Sequence, residues 1–240
     1  MTNSRYADND DVRIHYVDSG GDDRGAPVVF VPGMTCVAED YAEVLPLFGR
    51  RTVVIDLRGH GRSDAPASGY DALTLSADVG AVVDAVTDGA VHVVTFSRGT
   101  TYALTWALAN IERVRSVAIG DYVPEEKVLT TEMSEHLLAG RWRGTPVTER
   151  LDVDAANKTF GAAQERSLWE PLARQRLPLL AVRSRERLLV DDVQWSRYRK
   201  LFPHAHLVEF PDSPHDIFRP HRGRYPRLVS EHVDDADEAR

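Results

Sequence analysis

The stretch AVHVVTFSRGTTYAL, residues 90–104, passes from a strand into a helix with almost no loop between them. Ala90 to Phe96 is a short apolar, β-branched run of the kind that forms a buried strand. From Arg98 to about Ala109 the sequence reads as helix, and Ser97 stands at the junction. A reversal this tight projects one side chain from the carboxyl end of a sheet and needs small neighbours. Gly99 is one. Thr95, two residues before the serine, is bulkier than the glycine usual there. Ser97 also heads a helix, where backbone N–H groups favour developing negative charge. A serine at that place is equally an ordinary helix N-cap, and the short pattern alone does not decide between the two.

Outward from this junction, strands alternate with helices. VRIHYV (12–17) alternates like a strand and can pair with residues 4–8 as a hairpin. PVVFV (27–31) and TVVID (52–56) are buried strands, and residues 38–48 have helical spacing through Tyr41, Val44, Leu45 and Phe48. Leu75, Val79, Val82, Val83 and Val86 form one helical stripe over 74–86. A sixth strand covers 114–119. The alternation then breaks: Tyr122 to about Arg176 is polar, helix-leaning and without a clear strand. It resumes with LPLLAV (177–182), a helix near 192–202, a strand at 206–210 and a last helix near 225–233. The acidic tail after His232 is expected to fray. This order predicts an α/β domain, with a mostly parallel eight-stranded sheet covered by helices on both faces. Residues 1–121 and 177–240 form its core, and 122–176 form an inserted helical lid.

The bulk numbers fit one such domain of 240 residues, 42% apolar and 28% charged. A net charge of −8 argues against nucleic acid or an anionic membrane as partner. The single cysteine, Cys36, excludes an internal disulfide and disfavours a cysteine-based metal site. Residues 1–11 lack the pattern of a signal peptide, and no apolar run approaches a membrane span. The expectation is a cytoplasmic protein with a small-molecule substrate, no cofactor and no metal. Assembly as a homodimer is left open.

From Val12 to its C-terminus the chain resembles the α/β-hydrolase superfamily. VVFVPGMT, VVIDLRGHGRSD, VVTFSRGTTYAL, VRSVAIGDYVP and LVEFPDSPHDIF come in that family's order and spacing. The resemblance implies Ser97 as nucleophile, with an oxyanion hole from the backbone N–H groups of Met34 and Arg98. Pro32 stands where the family often has His, which matters little because a backbone group is the donor. A serine hydroxyl is a weak nucleophile and needs a base within hydrogen-bond reach. The resemblance puts that base at His215, after the eighth strand. The base needs an acid. Many members carry it after the seventh strand, but Arg187 occupies that position here. Asp121, ending the sixth strand as in some haloalkane dehalogenases, is the better candidate, with Glu186, Asp191 and Asp192 as alternatives. The DLRGHGRSD segment has a structural role in the family, which covers His60. His15 and His92 lie within strands and read as structural. His204, His206, His221 and His232 read as surface, and His136 lies in the insertion.

Tyr122, Trp142, Phe160 and Trp169 of the insertion can line a substrate pocket or pack the lid onto the body. Arg98, Arg141 and Arg143 are the basic groups available to an acidic substrate. The main functional expectation is hydrolysis of an ester, lactone or thioester through an acyl-enzyme. The alternatives are non-hydrolytic or C–C bond chemistry in a biosynthetic pathway on the same fold, and a non-catalytic ligand receptor. The serine reading predicts that a fluorophosphonate labels Ser97. A folded protein that never labels contradicts it.

Overall fold

The computed structural model describes residues 2–21, 25–186 and 189–239. Its main sheet has eight strands: β1 (Asn3–Asn9), β2 (Val12–Asp18), β3 (Val28–Val31), β4 (Thr52–Ile55), β5 (Val91–Phe96), β6 (Val114–Gly120), β7 (Leu179–Ser184) and β8 (His206–Phe210). They lie in the order β1-β2-β4-β3-β5-β6-β7-β8. β1 and β2 form an antiparallel hairpin and β2 runs antiparallel to β4, while the other pairings are parallel. β3, β5 and β6 are apolar on both faces because both faces are covered. Val29, Val31, Val93 and Ile119 pack on one side and Phe30, Val94, Phe96 and Ala118 on the other.

Helices α1 (Ala72–Val86), α2 (Gly99–Ala109) and α6 (Asp192–Leu201) cover the first face, and α7 (Arg224–Glu238) covers the second. Between α2 and α6 come α3 (Thr131–Leu138), α4 (Val153–Ala162) and α5 (Trp169–Gln175). α1 begins two residues before the apolar stripe suggests, because the Asp71 side chain accepts the N–H groups of Leu73 and Thr74, both at 3.0 Å. The segment from 122 to 176 holds α3, α4 and α5, with two short antiparallel pairings, Glu125–Glu126 with Arg166–Ser167 and Arg141–Trp142 with Thr145–Pro146.

Three local expectations are corrected. Residues 38–48 form two 3₁₀ turns, Ala38–Tyr41 and Leu45–Phe48, and not one α-helix. Pro46 has no N–H to return to the preceding turn, so the helix cannot propagate through it. The apolar spacing is real and packs Tyr41, Val44, Leu45 and Phe48 into the core. The acidic tail does not fray: α7 continues to Glu238, and Arg50 pairs with Asp234 and, at 2.6 Å, with Asp237. His232 is buried and not on the surface, because it shares the inward stripe of α7 with Tyr225, Val229 and Val233.

His92 is buried too. Arg50 Nη1 donates to its Nε2 at 2.9 Å and its Nδ1 faces Ser116 Oγ at 2.8 Å. Burial pushes both His92 and His232 down to about 4, helped at His92 by the Arg50 charge. Unfolding returns each imidazole to an ordinary value near 6.5, so the unfolded chain binds more protons as pH falls. The stability tied to these neutral side chains is full above about 6.5 and is lost as pH falls towards 4. The urea midpoint is therefore expected to drop between pH 7 and pH 5, reflecting a loss of about 1–2 kcal/mol of unfolding free energy per imidazole, and to drop less in His232→Gln. An unchanged midpoint contradicts this.

Candidate active site

Ser97 has a φ of 53°, in the left-handed region, between β5 and α2. Its N–H donates to Gly120 O on β6 at 2.9 Å. Few side chains tolerate this conformation, and a non-glycine residue held there points to function. The turn closes because Gly99 has no side chain: a Cβ would lie 2.1 Å from Pro32 O and 2.5 Å from Val31 O. Thr95 is accommodated by hydrogen bonding. Its Oγ1 lies 2.8 Å from Thr100 Oγ1 and donates to Ala118 O at 3.3 Å, so the bulkier residue fills buried space beneath the turn.

The structure brings Ser97, His215 and Asp121 together. His215 Nε2 lies 2.9 Å from Ser97 Oγ, and His215 Nδ1 lies 2.7 Å from Asp121 Oδ2. Asp121, buried at the end of β6, also has a left-handed φ of 44°. Its N–H donates to Val182 O at 2.7 Å. Its Oδ1 accepts from the Ser184 N–H at 2.8 Å and its Oδ2 from the Ser184 hydroxyl at 2.9 Å. The carboxylate thus acts purely as acceptor, so Nδ1 of His215 carries the proton and the Nε2 lone pair faces Ser97. The His215 ring stacks on Phe96 with centroids 4.9 Å apart.

The alternative carboxylates are used elsewhere. Asp191 caps α6 by accepting the Gln194 N–H at 2.8 Å, and Asp192 pairs with Arg183 at 2.7 Å and Arg185 at 3.0 Å. Glu186 is exposed. Arg187 lies outside the described residues.

Met34 and Arg98 flank Ser97, both buried, and among the described residues their backbone N–H groups donate to no protein acceptor. His60 Nε2 faces the Met34 carbonyl, which fixes the loop from below. A cavity of about 200 Å³ opens beside Ser97, walled by Met34, Leu137, Trp142, Val147 and His215. Cys36 is also in its wall, and burial pushes that thiol up to about 12, so it stays protonated near neutral pH.

The other proposed pocket residues separate. Trp142 and His136 line the cavity. Trp169 does not: it is fully buried, packs on Tyr198 with centroids 4.6 Å apart, and donates its Nε1–H to Glu125 at 2.6 Å. Tyr122 is likewise buried outside the cavity wall, in the same core cluster as Trp169. Phe160 packs inside the insertion with Leu138, Val147 and Leu151. Arg98 turns its guanidinium inward, to Tyr102 Oη at 3.1 Å and Lys127 O at 2.9 Å.

Arg143 has a role that its position in the sequence does not reveal. It makes two hydrogen bonds of 2.8 Å to Asp216, the neighbour of His215, and one of 3.0 Å to Asp40 O. Its guanidinium lies over the rings of Tyr41, Trp142 and Phe218. The hairpin Arg141–Pro146 is thereby clamped to the loop that carries His215. The other missed residue is Ser184, which is unremarkable in sequence and becomes visible only when β6 and β7 are paired.

Residues 26–150 match the family model for the alpha/beta hydrolase fold. Over 120 residues the chain is 38% identical to a non-heme chloroperoxidase of Streptomyces lividans, a match covering 48% of this chain and 43% of that protein. The chain spans less than half the length of the curated relatives it matches. Among solved structures it is similar to an esterase from Exiguobacterium antarcticum, with a TM-score of 0.79, 18% identity and coverage of 95% of this chain and 98% of that one. It is similar also to the enol-lactonase of Burkholderia xenovorans LB400, with a TM-score of 0.78, 18% identity and coverage of 96% and 100%. At these identities the structural likeness bears on the fold.

The Arg143–Asp216 clamp makes a measurable claim. Arg143→Ala strands a buried carboxylate without its cation, which is expected to cost about 3 kcal/mol in urea unfolding. Arg143→Lys keeps the charge without the two-pronged geometry and should fall between. An Arg143→Ala protein as stable as the parent contradicts the clamp.

Proposed function

The chain belongs to the α/β-hydrolase-fold family, and we propose that within it this protein is a serine hydrolase acting on an ester, lactone or thioester of a small molecule. The observation that carries this reading is the continuous hydrogen-bond relay from Ser97 Oγ through His215, at 2.9 Å, to Asp121, at 2.7 Å. In the proposed reaction Ser97 Oγ attacks the substrate carbonyl while its proton passes to His215 Nε2. The Asp121 carboxylate stabilises the imidazolium from the far side. The carbonyl oxygen takes up the negative charge and receives the Met34 and Arg98 N–H groups, which have no protein acceptor among the described residues. Collapse of the tetrahedral adduct breaks the bond to the leaving oxygen or sulfur, which takes the proton from His215. A water molecule, giving its proton to the same nitrogen, then releases the acyl group as acid and restores Ser97.

Cavity size supports a small acyl group. About 200 Å³ is below the roughly 300–1,000 Å³ common for ligand pockets. Chemistry at a carbonyl by this route needs a nucleophile, a base, an acid and an anion site. Ser97, His215 and Asp121 form one hydrogen-bonded unit, and the Met34 and Arg98 N–H groups lie beside it.

The test is the turnover of a short ester such as 4-nitrophenyl acetate by the parent and two variants. Ser97→Ala is expected to lower kcat to the level of residual binding effects. Asp121→Asn should lower it by about 10⁴-fold, because the imidazole is then held in the wrong tautomer. Near-normal turnover by Ser97→Ala would overturn the acyl-enzyme reading.

A further inference from the structure

The chain carries 37 acidic against 29 basic residues, yet among the described residues no Asp or Glu lines the cavity beside Ser97. Its wall does contain Arg141 and His136. The nearby carboxylates are already engaged. Asp121 holds His215 and Ser184, and Asp216 is matched by Arg143 through two bonds of 2.8 Å. A site shaped for a cationic substrate would present an acid here, and a site for a purely apolar one would not present a guanidinium.

Of the three arginines around the site, two are held by both a side chain and a backbone carbonyl. Arg98 is bound to Tyr102 and Lys127 O, and Arg143 to Asp216 and Asp40 O. Arg141 differs. Its Nε donates to Gly144 O at 3.0 Å, and its Nη2 donates to the same carbonyl. That neutral acceptor anchors the guanidinium on the tight hairpin at Arg143-Gly144, where both residues have positive φ. Among the described residues no carboxylate pairs with Arg141. A guanidinium has five N–H donors, so Nη1 and the second Nη2 hydrogen remain available, and that edge matches the two oxygens of a carboxylate.

We propose that the substrate is an acyl compound bearing a carboxylate, and that Arg141 binds this carboxylate at the cavity wall while the scissile carbonyl lies against Ser97. The proposal rests on the hydrolase reading for its chemistry, but the anion site itself is defined by Arg141 and the acid-free wall. His136, at the last turn of α3, adds a further polar side chain to the same wall. Because Arg141 is a guanidinium fixed by a backbone carbonyl, it discriminates by geometry as well as by charge.

Two measurements test this separately from the hydrolase reading. The first is calorimetric titration of succinate into Ser97→Ala, which cannot form an acyl-enzyme. Succinate is expected to bind, and its affinity should fall at least tenfold when Arg141→Gln is added. Absence of succinate binding, or equal affinity in the two proteins, overturns the anion site. The second is the ratio of kcat/KM for 4-nitrophenyl hydrogen succinate to that for 4-nitrophenyl acetate. Arg141→Gln should lower this ratio at least tenfold, mainly through KM, and Arg141→Lys should lower it less. Turnover with a ratio indifferent to Arg141 overturns the proposal and leaves the hydrolase reading standing. Succinate binding that depends on Arg141 without turnover of either ester keeps the anion site and removes the hydrolase reading.

Discussion

The backbone reversal at Ser97 is the constraint on which the rest of the site depends. A residue held at a φ of 53° costs on the order of 1–3 kcal/mol and persists only if its surroundings over-determine it. Here they do. β5 is buried along its whole length, and α2 is buried on nearly every side from Gly99 to Ala107. Neither can slide to relax the turn. The close approach of Gly99 to the Pro32 and Val31 carbonyls locks the turn against the loop after β3. That same contact brings the Met34 segment beside the serine.

The second constraint is the pairing of β6 with β7. Gly120 lies opposite Val182, so Asp121 emerges one strand spacing from Ser184. The Ser184 backbone N–H and hydroxyl therefore reach both carboxylate oxygens. The Asp121 carboxylate at the end of β6 is thus steadied by the neighbouring strand β7. The His215 loop is held from the opposite side by the Arg143–Asp216 clamp, so the imidazole is fixed between two independent anchors.

The fold was legible in the sequence because its central strands are apolar on both faces and are punctuated by helices with clear stripes. The meeting of Ser97, Asp121 and His215 was legible because each ends a strand or follows one at the same edge of the sheet. What escaped were features decided by partners distant in sequence. The tail after His232 looks frayed in isolation, yet Arg50 collects Asp234 and Asp237 and continues the helix. Trp169 looks like a pocket aromatic until Tyr198 and Glu125 claim it. Arg143 resembles a surface arginine in sequence, because Asp216 lies 73 residues away. Only residues 38–48 failed for a local reason, Pro46, which the periodicity of their apolar side chains masks.

The most direct measurement is the crystal structure of the protein after reaction with a small alkyl phosphonate ester. Phosphorus is expected to be bonded to Ser97 Oγ, with one phosphoryl oxygen about 3 Å from both the Met34 and Arg98 nitrogens. His215 should remain within hydrogen-bond reach of the adduct and of Asp121. An adduct on another residue, or a phosphoryl oxygen directed away from both N–H groups, would contradict this.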